Sequence, residues 1–167
     1  MELTTTRLKE LLVPVDGSEA SLEAVAIACS IAKRNKGKMF LVHVVEVPRS
    51  RSLDADLGPE TQRGEEVLNE AERLARSLDC EAEGELLQAR EVGHAVVDEA
   101  IERAVDGIVV GIKHRATEDE DEAPSIWERG EKPRSLPGVS LGGVSHHILH
   151  HAPCEVILIR LPGNTWS

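Results

Sequence analysis

Four short, almost uninterrupted apolar runs constrain this chain more than any other feature: Leu11-Leu-Val-Pro-Val15, Met39 to Val47, Ile108-Val-Val-Gly111 and Glu155 to Leu161. Each is too short and too β-branched for a helix, so each reads as a strand buried on both faces. The segments between them carry helical spacing. From Glu19 to Lys36, Leu22, Val25, Ala26, Cys29 and Ala32 share a face, Ser18 is placed to cap the start, and Lys33 to Gly37 form a cationic last turn closed by glycine. Glu60 to Leu78 repeats the pattern through Val67, Leu68, Ala71, Leu74 and Ala75. Glu81 to Arg90 is a weaker, partly alternating strand, followed by a helix from about His94 to Ala104, and a helix opened by Gly142 leads into the last strand. The alternation of strands and helices predicts a Rossmann-like five-stranded parallel sheet with helices on both faces.

With 167 residues and 41% apolar content, the chain is expected to form one domain over 1–167. A net charge of -11, from 30 acidic against 19 basic residues, works against phosphate backbones and anionic membranes. Aromatics are Phe40, Trp127 and Trp166 alone, so no base-stacking platform is available, and nucleic-acid partners are not expected. No apolar run approaches the roughly 18 residues of a membrane span. Cys29, Cys80 and Cys154 form no CxxC pair and no secretory start follows Met1, so reduced thiols in the cytoplasm are expected.

In such a sheet, ligands sit beyond the carboxyl ends of the strands, where strand order reverses. That rule gathers Asp16-Gly17, the end of the Phe40–Val47 strand and Gly111 on one rim, with the Gly142-Gly143 helix start as an anion site. Asp16 has two readings: a rim carboxylate able to contribute to a magnesium site, or a strand-end acid bonding nearby N–H groups. His146/His150 and His147/His151 are i,i+4 pairs, the spacing at which two imidazoles share a metal, but no HExxH pattern or third ligand accompanies them, and no metal site is assigned. With no GxSxG elbow, P-loop or Ser/His/Asp order, no catalytic residue is assigned either. Residues 112–137 form an expected acidic insertion holding Glu118–Glu122, three prolines and Trp127, which reads either as a solvated loop or as an arm for a basic partner.

The chain resembles the universal stress proteins of the UspA type. The likeness rests on Val13-Pro14-Val15-Asp16-Gly17-Ser18, Val42-His43-Val44-Val45, Asp106-Gly107-Ile108-Val109-Val110-Gly111, and Leu141-Gly142-Gly143-Val144-Ser145 leading to His151-Ala152-Pro153-Cys154. The resemblance implies an adenine nucleotide alpha hydrolase-like fold with strand order 3-2-1-4-5, and a homodimer through the last strand, Val156, Ile157, Leu158 and Ile159. It also implies binding of ATP or another adenine nucleotide with Mg in a stress response, at Pro14, Val15, Asp16, Val44, Gly111, Gly142, Gly143, Val144 and Ser145, with at most slow hydrolysis. Asp16 takes the position of the ribose-side acid, and Val44 that of the valine whose backbone meets adenine. Gly111 and Gly142 take positions in the phosphate-cradling motif. The chain departs from that motif at His114 and Gly143, which stand where a glycine and a Ser or Thr belong, and in the insertion between Gly111 and Gly142. Gly138 is the candidate for the missing glycine, and the five acids, if within a Debye length of about 8 Å, would repel phosphates. The alternative is a nucleotide-free dimeric module whose insertion binds a protein partner.

Overall fold

The computed structural model describes residues 7–112 and 143–162. Within them the chain runs β1 (Glu10–Pro14), α1 (Glu19–Arg34), β2 (Lys38–Glu46), α2 (Gly58–Ser77), β3 (Ala82–Ala89), α3 (Val92–Arg103), β4 (Gly107–Ile112), α4 (Gly143–His151) and β5 (Glu155–Arg160). The strand pairings are parallel, in the order β3-β2-β1-β4-β5. The differences from expectation lie at element ends. The second helix starts at Gly58 and takes Pro59 into its first turn, where a missing N–H costs nothing because those donors have no intrahelical acceptor. Ile112, the first residue of the expected insertion, is instead the buried last residue of β4. The rest of that segment, with His114, Glu118–Glu122 and Trp127, lies outside the described residues, as do Gly138 and Gly142.

Strand alternation sorts the core into two layers. Leu11, Val13, Met39, Leu41 and Val109 pack with Ala24, Val25, Ala28 and Ala32 of α1 and Leu68, Ala71 and Ala75 of α2. Leu12, Phe40, Val42, Val44, Ile108 and Val110 pack on the other face with Val96, Val97 and Ala100 of α3 and Ile148 of α4. Burying these side chains on both faces of β1, β2 and β4 is the main source of stability, roughly 1.5–3 kcal/mol for each large one. The irregular stretch after β2 is pinned: Leu57 is buried against Val45 and Val47, and Arg90 donates to the carbonyls of Val47 and Pro48.

Cys29 and Cys80 are buried, Cys154 is half-buried, and all three are free. Burial, followed by the neighbouring Cys80 thiol, pushes the Cys29 thiol up to about 12. A thiol so far from ionising packs as a small apolar group. No helix among the described residues is long and apolar enough to cross a membrane.

Candidate functional site

The chain places β2 and β3 on one side of β1 and β4 and β5 on the other, so strand order reverses at β1. Hydrogen-bond alternation shows how the sheet opens there. The Asp106 N–H donates to the Glu10 carbonyl at 2.8 Å, so the even-numbered residues of β1 face β4. Pro14 is the next but one in that series and has no N–H, and the β1–β4 register accordingly stops at Leu12 while β1–β2 runs on to Pro14. On β2, the odd residues face β3, with Met39 N–H donating to Glu81 and Val47 N–H to Ala89. The even residues face β1, with Lys38 N–H donating to Lys9 and Val42 accepting from Val15 N–H. Val44 is the next even residue, and β1 has already ended. Its N–H and C=O therefore point into the space β1 leaves.

The exit from β1 is a tight turn. The Ser18 N–H donates to Asp16 Oδ1 at 2.9 Å and the Ser18 hydroxyl to the same oxygen at 2.5 Å. Ser18 then caps α1 as predicted, its Oγ accepting from the Ser21 N–H at 3.2 Å. Between them Gly17 takes φ +84°, a region that L side chains rarely occupy. Asp16 thus performs the strand-end role, while its exposed carboxylate also lines the cavity described next. Gly111 has a second structural reason to be glycine. A Cβ there would lie 2.3 Å from the backbone carbonyl of Ala20, because the first turn of α1 rests directly on the end of β4.

A cavity of about 340 Å³ occupies this switch point. Of the nine predicted site residues, eight line it: Pro14, Val15, Asp16, Val44, Gly111, Gly143, Val144 and Ser145; Gly142 lies outside the described residues. Sequence reasoning missed six lining residues: Val42, Val92, Val110 and Ile112, which form its apolar wall, and Ser21 and His43. Val42 and Val110 share a sheet face with Val44, a period-two signal available in the sequence, but Val92 arrives only through the packing of α3 on β2. The first turn of α4 closes one side, with Ser145 buried and, among the described residues, open space beside Gly143. The arrangement offers an apolar slot, a backbone donor and acceptor at one edge, a carboxylate at the mouth, and a helix start able to meet an anion.

A family model described as the universal stress protein family matches residues 7–160. The chain belongs to that family. Universal stress protein MJ0531 of Methanocaldococcus jannaschii is 24% identical over 160 residues, which cover 92% of this chain and 83% of that one. The solved structure of the universal stress protein from Archaeoglobus fulgidus in complex with dAMP is similar at TM-score 0.66 and 21% identity, covering 92% of this chain and 98% of that one. A universal stress protein family protein from Arabidopsis thaliana with AMP bound is similar at TM-score 0.62 and 16% identity, covering 93% and 94%. At such identities these two likenesses establish the fold.

Behind the cavity of this universal stress protein, histidines join α3 to α4. His94 stacks on His147 with ring centroids 3.9 Å apart, and His147 stacks on His151 at 4.2 Å. His146 and His150 lie 4.4 Å apart, tilted. Stacked rings direct their nitrogens sideways rather than toward a common point. Among the described residues no group of three or more His, Cys, Asp or Glu side chains is placed to hold a metal ion. Desolvation first, then His94 and His151, holds the His147 imidazole below its ordinary value, with Glu91 and Asp98 partly opposing. The unfolded chain then takes up a proton at His147 more readily than the folded one, so stability is lost as pH falls through the ordinary histidine range and on through the lower folded value. The melting temperature is expected to drop between about pH 7.5 and about pH 5.5, and less so in His147→Gln. Equal slopes for the two proteins would reject the assignment.

Proposed function

We propose that this universal stress protein binds an adenine nucleotide in the cavity at the ends of β1, β2 and β4, as part of a stress response. The observation that carries the reading is the Val44 edge, a backbone N–H and C=O facing an apolar slot. Adenine presents the complement, a ring nitrogen acceptor beside an exocyclic amine donor, on a flat apolar ring that Val42, Val92 and Val110 can enclose. Asp16 then accepts from ribose hydroxyls, and the phosphates lie toward Gly143, Val144 and Ser145 at the start of α4, with Gly111 beside them and Pro14 and Val15 shaping the floor. The relatives solved with dAMP and AMP support the choice of base. A triphosphate with Mg held partly by Asp16 is the larger ligand this reading admits. No catalytic residue is assigned in this reading, and any hydrolysis is slow and incidental.

Mass spectrometry of small molecules released from the purified protein, followed by calorimetric titration of AMP and Mg-ATP into the emptied protein, tests the reading. Release of an adenine nucleotide and micromolar binding are expected, with Asp16→Ala weakening affinity about tenfold or more. No release and no binding of either nucleotide would reject it, in favour of the nucleotide-free module in which residues 113–137 meet a basic partner. The same reading takes the protein as one cytoplasmic domain that pairs with a second copy along β5. Val156 to Ile159 are half-buried there, and the outer edge of β5 carries no strand among the described residues. Light scattering that gave the mass of a single chain at micromolar concentration would reject the pairing.

A further inference from the structure

The natural acceptor for the Val44 N–H is the Val15 carbonyl, and another donor occupies it. In the β1–β2 ladder the Lys38 N–H donates to Lys9, and the register carries that series two residues at a time to Val44 and the Val15 carbonyl. At Val15 the series is interrupted. The His43 ring reaches the Val15 carbonyl instead, with Nδ1 2.7 Å from its oxygen. A carbonyl oxygen can only accept, so Nδ1 carries the proton. His43 is odd-numbered and projects to the sheet face that carries Met39 and Leu41, where α2 packs. Gly64 of α2 makes room for the ring: a Cβ at Gly64 would lie 2.7 Å from His43 Cδ2. The bond engages the Val15 carbonyl from the α2 side.

We propose that His43 is a positioning residue for the nucleotide site: by capping the Val15 carbonyl from the α2 side, it stops β1 from zipping onto Val44 and keeps the Val44 N–H and C=O available to a ligand. The ligand part of this inference rests on the adenine reading above; the backbone part does not. His43 is itself among the residues lining the cavity, but its ring lies on the α2 side, where it meets the Val15 carbonyl and Gly64, so the ring's effect on binding runs through Val15 and Val44.

The test uses the full chain without nucleotide and follows the Val44 amide by hydrogen exchange, in the wild type, in His43→Leu and in His43→Asn, whose Nδ2 stands where Nδ1 does. Val44 is expected to exchange faster than its ladder neighbour Val42 in the wild type. It is expected to slow about tenfold in His43→Leu, as the Val15 carbonyl becomes available, and to return to the wild-type rate in His43→Asn. AMP affinity should fall about tenfold in His43→Leu and be rescued in His43→Asn. A wild-type Val44 amide as protected as Val42, which needs no variant to measure, overturns the proposal, and so does an unchanged Val44 rate in a folded His43→Leu. If AMP binds none of the three proteins, the adenine reading fails, and the exchange rates still decide the role of His43.

Discussion

Gly111→Ala is expected to cost about 3 kcal/mol of stability, and Gly111→Val to prevent folding. The cause is contact, since no unusual backbone angle is involved: the added Cβ would stand 2.3 Å from the carbonyl carbon and oxygen of Ala20 and 2.7 Å from the Ser21 nitrogen. These are backbone atoms in the first turn of α1, held by the Ser18 cap and by the buried Ala24, Val25 and Ala28 below them, so they cannot swing aside as a long side chain would. Gly143→Ala is the control, because no described residue beyond its chain neighbours lies within 4 Å of its added Cβ. Its stability should stay within about 0.5 kcal/mol of the parent. Urea denaturation of the two variants decides the matter, and a Gly111→Ala midpoint equal to the parent's would mean that α1 does not rest on β4 as described. The comparison bears on function too, because a loss of ligand binding in Gly111→Ala has to be read against lost fold before it is credited to a phosphate contact.

Ile148→Ala is expected to cost about 3 kcal/mol, within the range for removing a fully buried branched side chain. Ile148 is inaccessible to solvent, and it and Ser145 are the buried residues of α4. A nine-residue helix has little stability of its own and depends on such an anchor. The variant should lose protection first in the amides of α4, the helix whose opening turn forms one side of the cavity. Leu149→Ala, on the exposed side of the same helix, should change stability by about 0.5 kcal/mol or less. Hydrogen exchange separates the outcomes: uniform loss of protection throughout the sheet, with α4 no weaker than β1, would show that Ile148 belongs to the global core and is no local tether.

How far the fold was legible depended on the range of the contacts involved. Strands at Leu11–Val15, Met39–Val47 and Ile108–Gly111 declared themselves because each is flanked by protein on both faces, which demands an unbroken apolar run whatever its neighbours are. The turn Asp16-Gly17-Ser18 and its cap were equally local, their hydrogen bonds spanning two or three residues. Even the rim of the cavity followed from the rule that ligands sit at the carboxyl ends near a strand-order reversal, which gathered Asp16, Gly111 and the start of α4, while the resemblance supplied Val44 and the other lining residues expected, together with the order 3-2-1-4-5 that periodicity alone leaves open. What the sequence could not reveal was where each strand stops relative to its neighbour. That offset leaves Val44 facing the gap beyond Pro14, brings Val92 and Val110 to the same slot, lays Ala20 on Gly111 and sends the His43 ring to the Val15 carbonyl. These contacts join residues far apart in the chain, and their geometry is set by register and helix packing, so only the tertiary structure decides them.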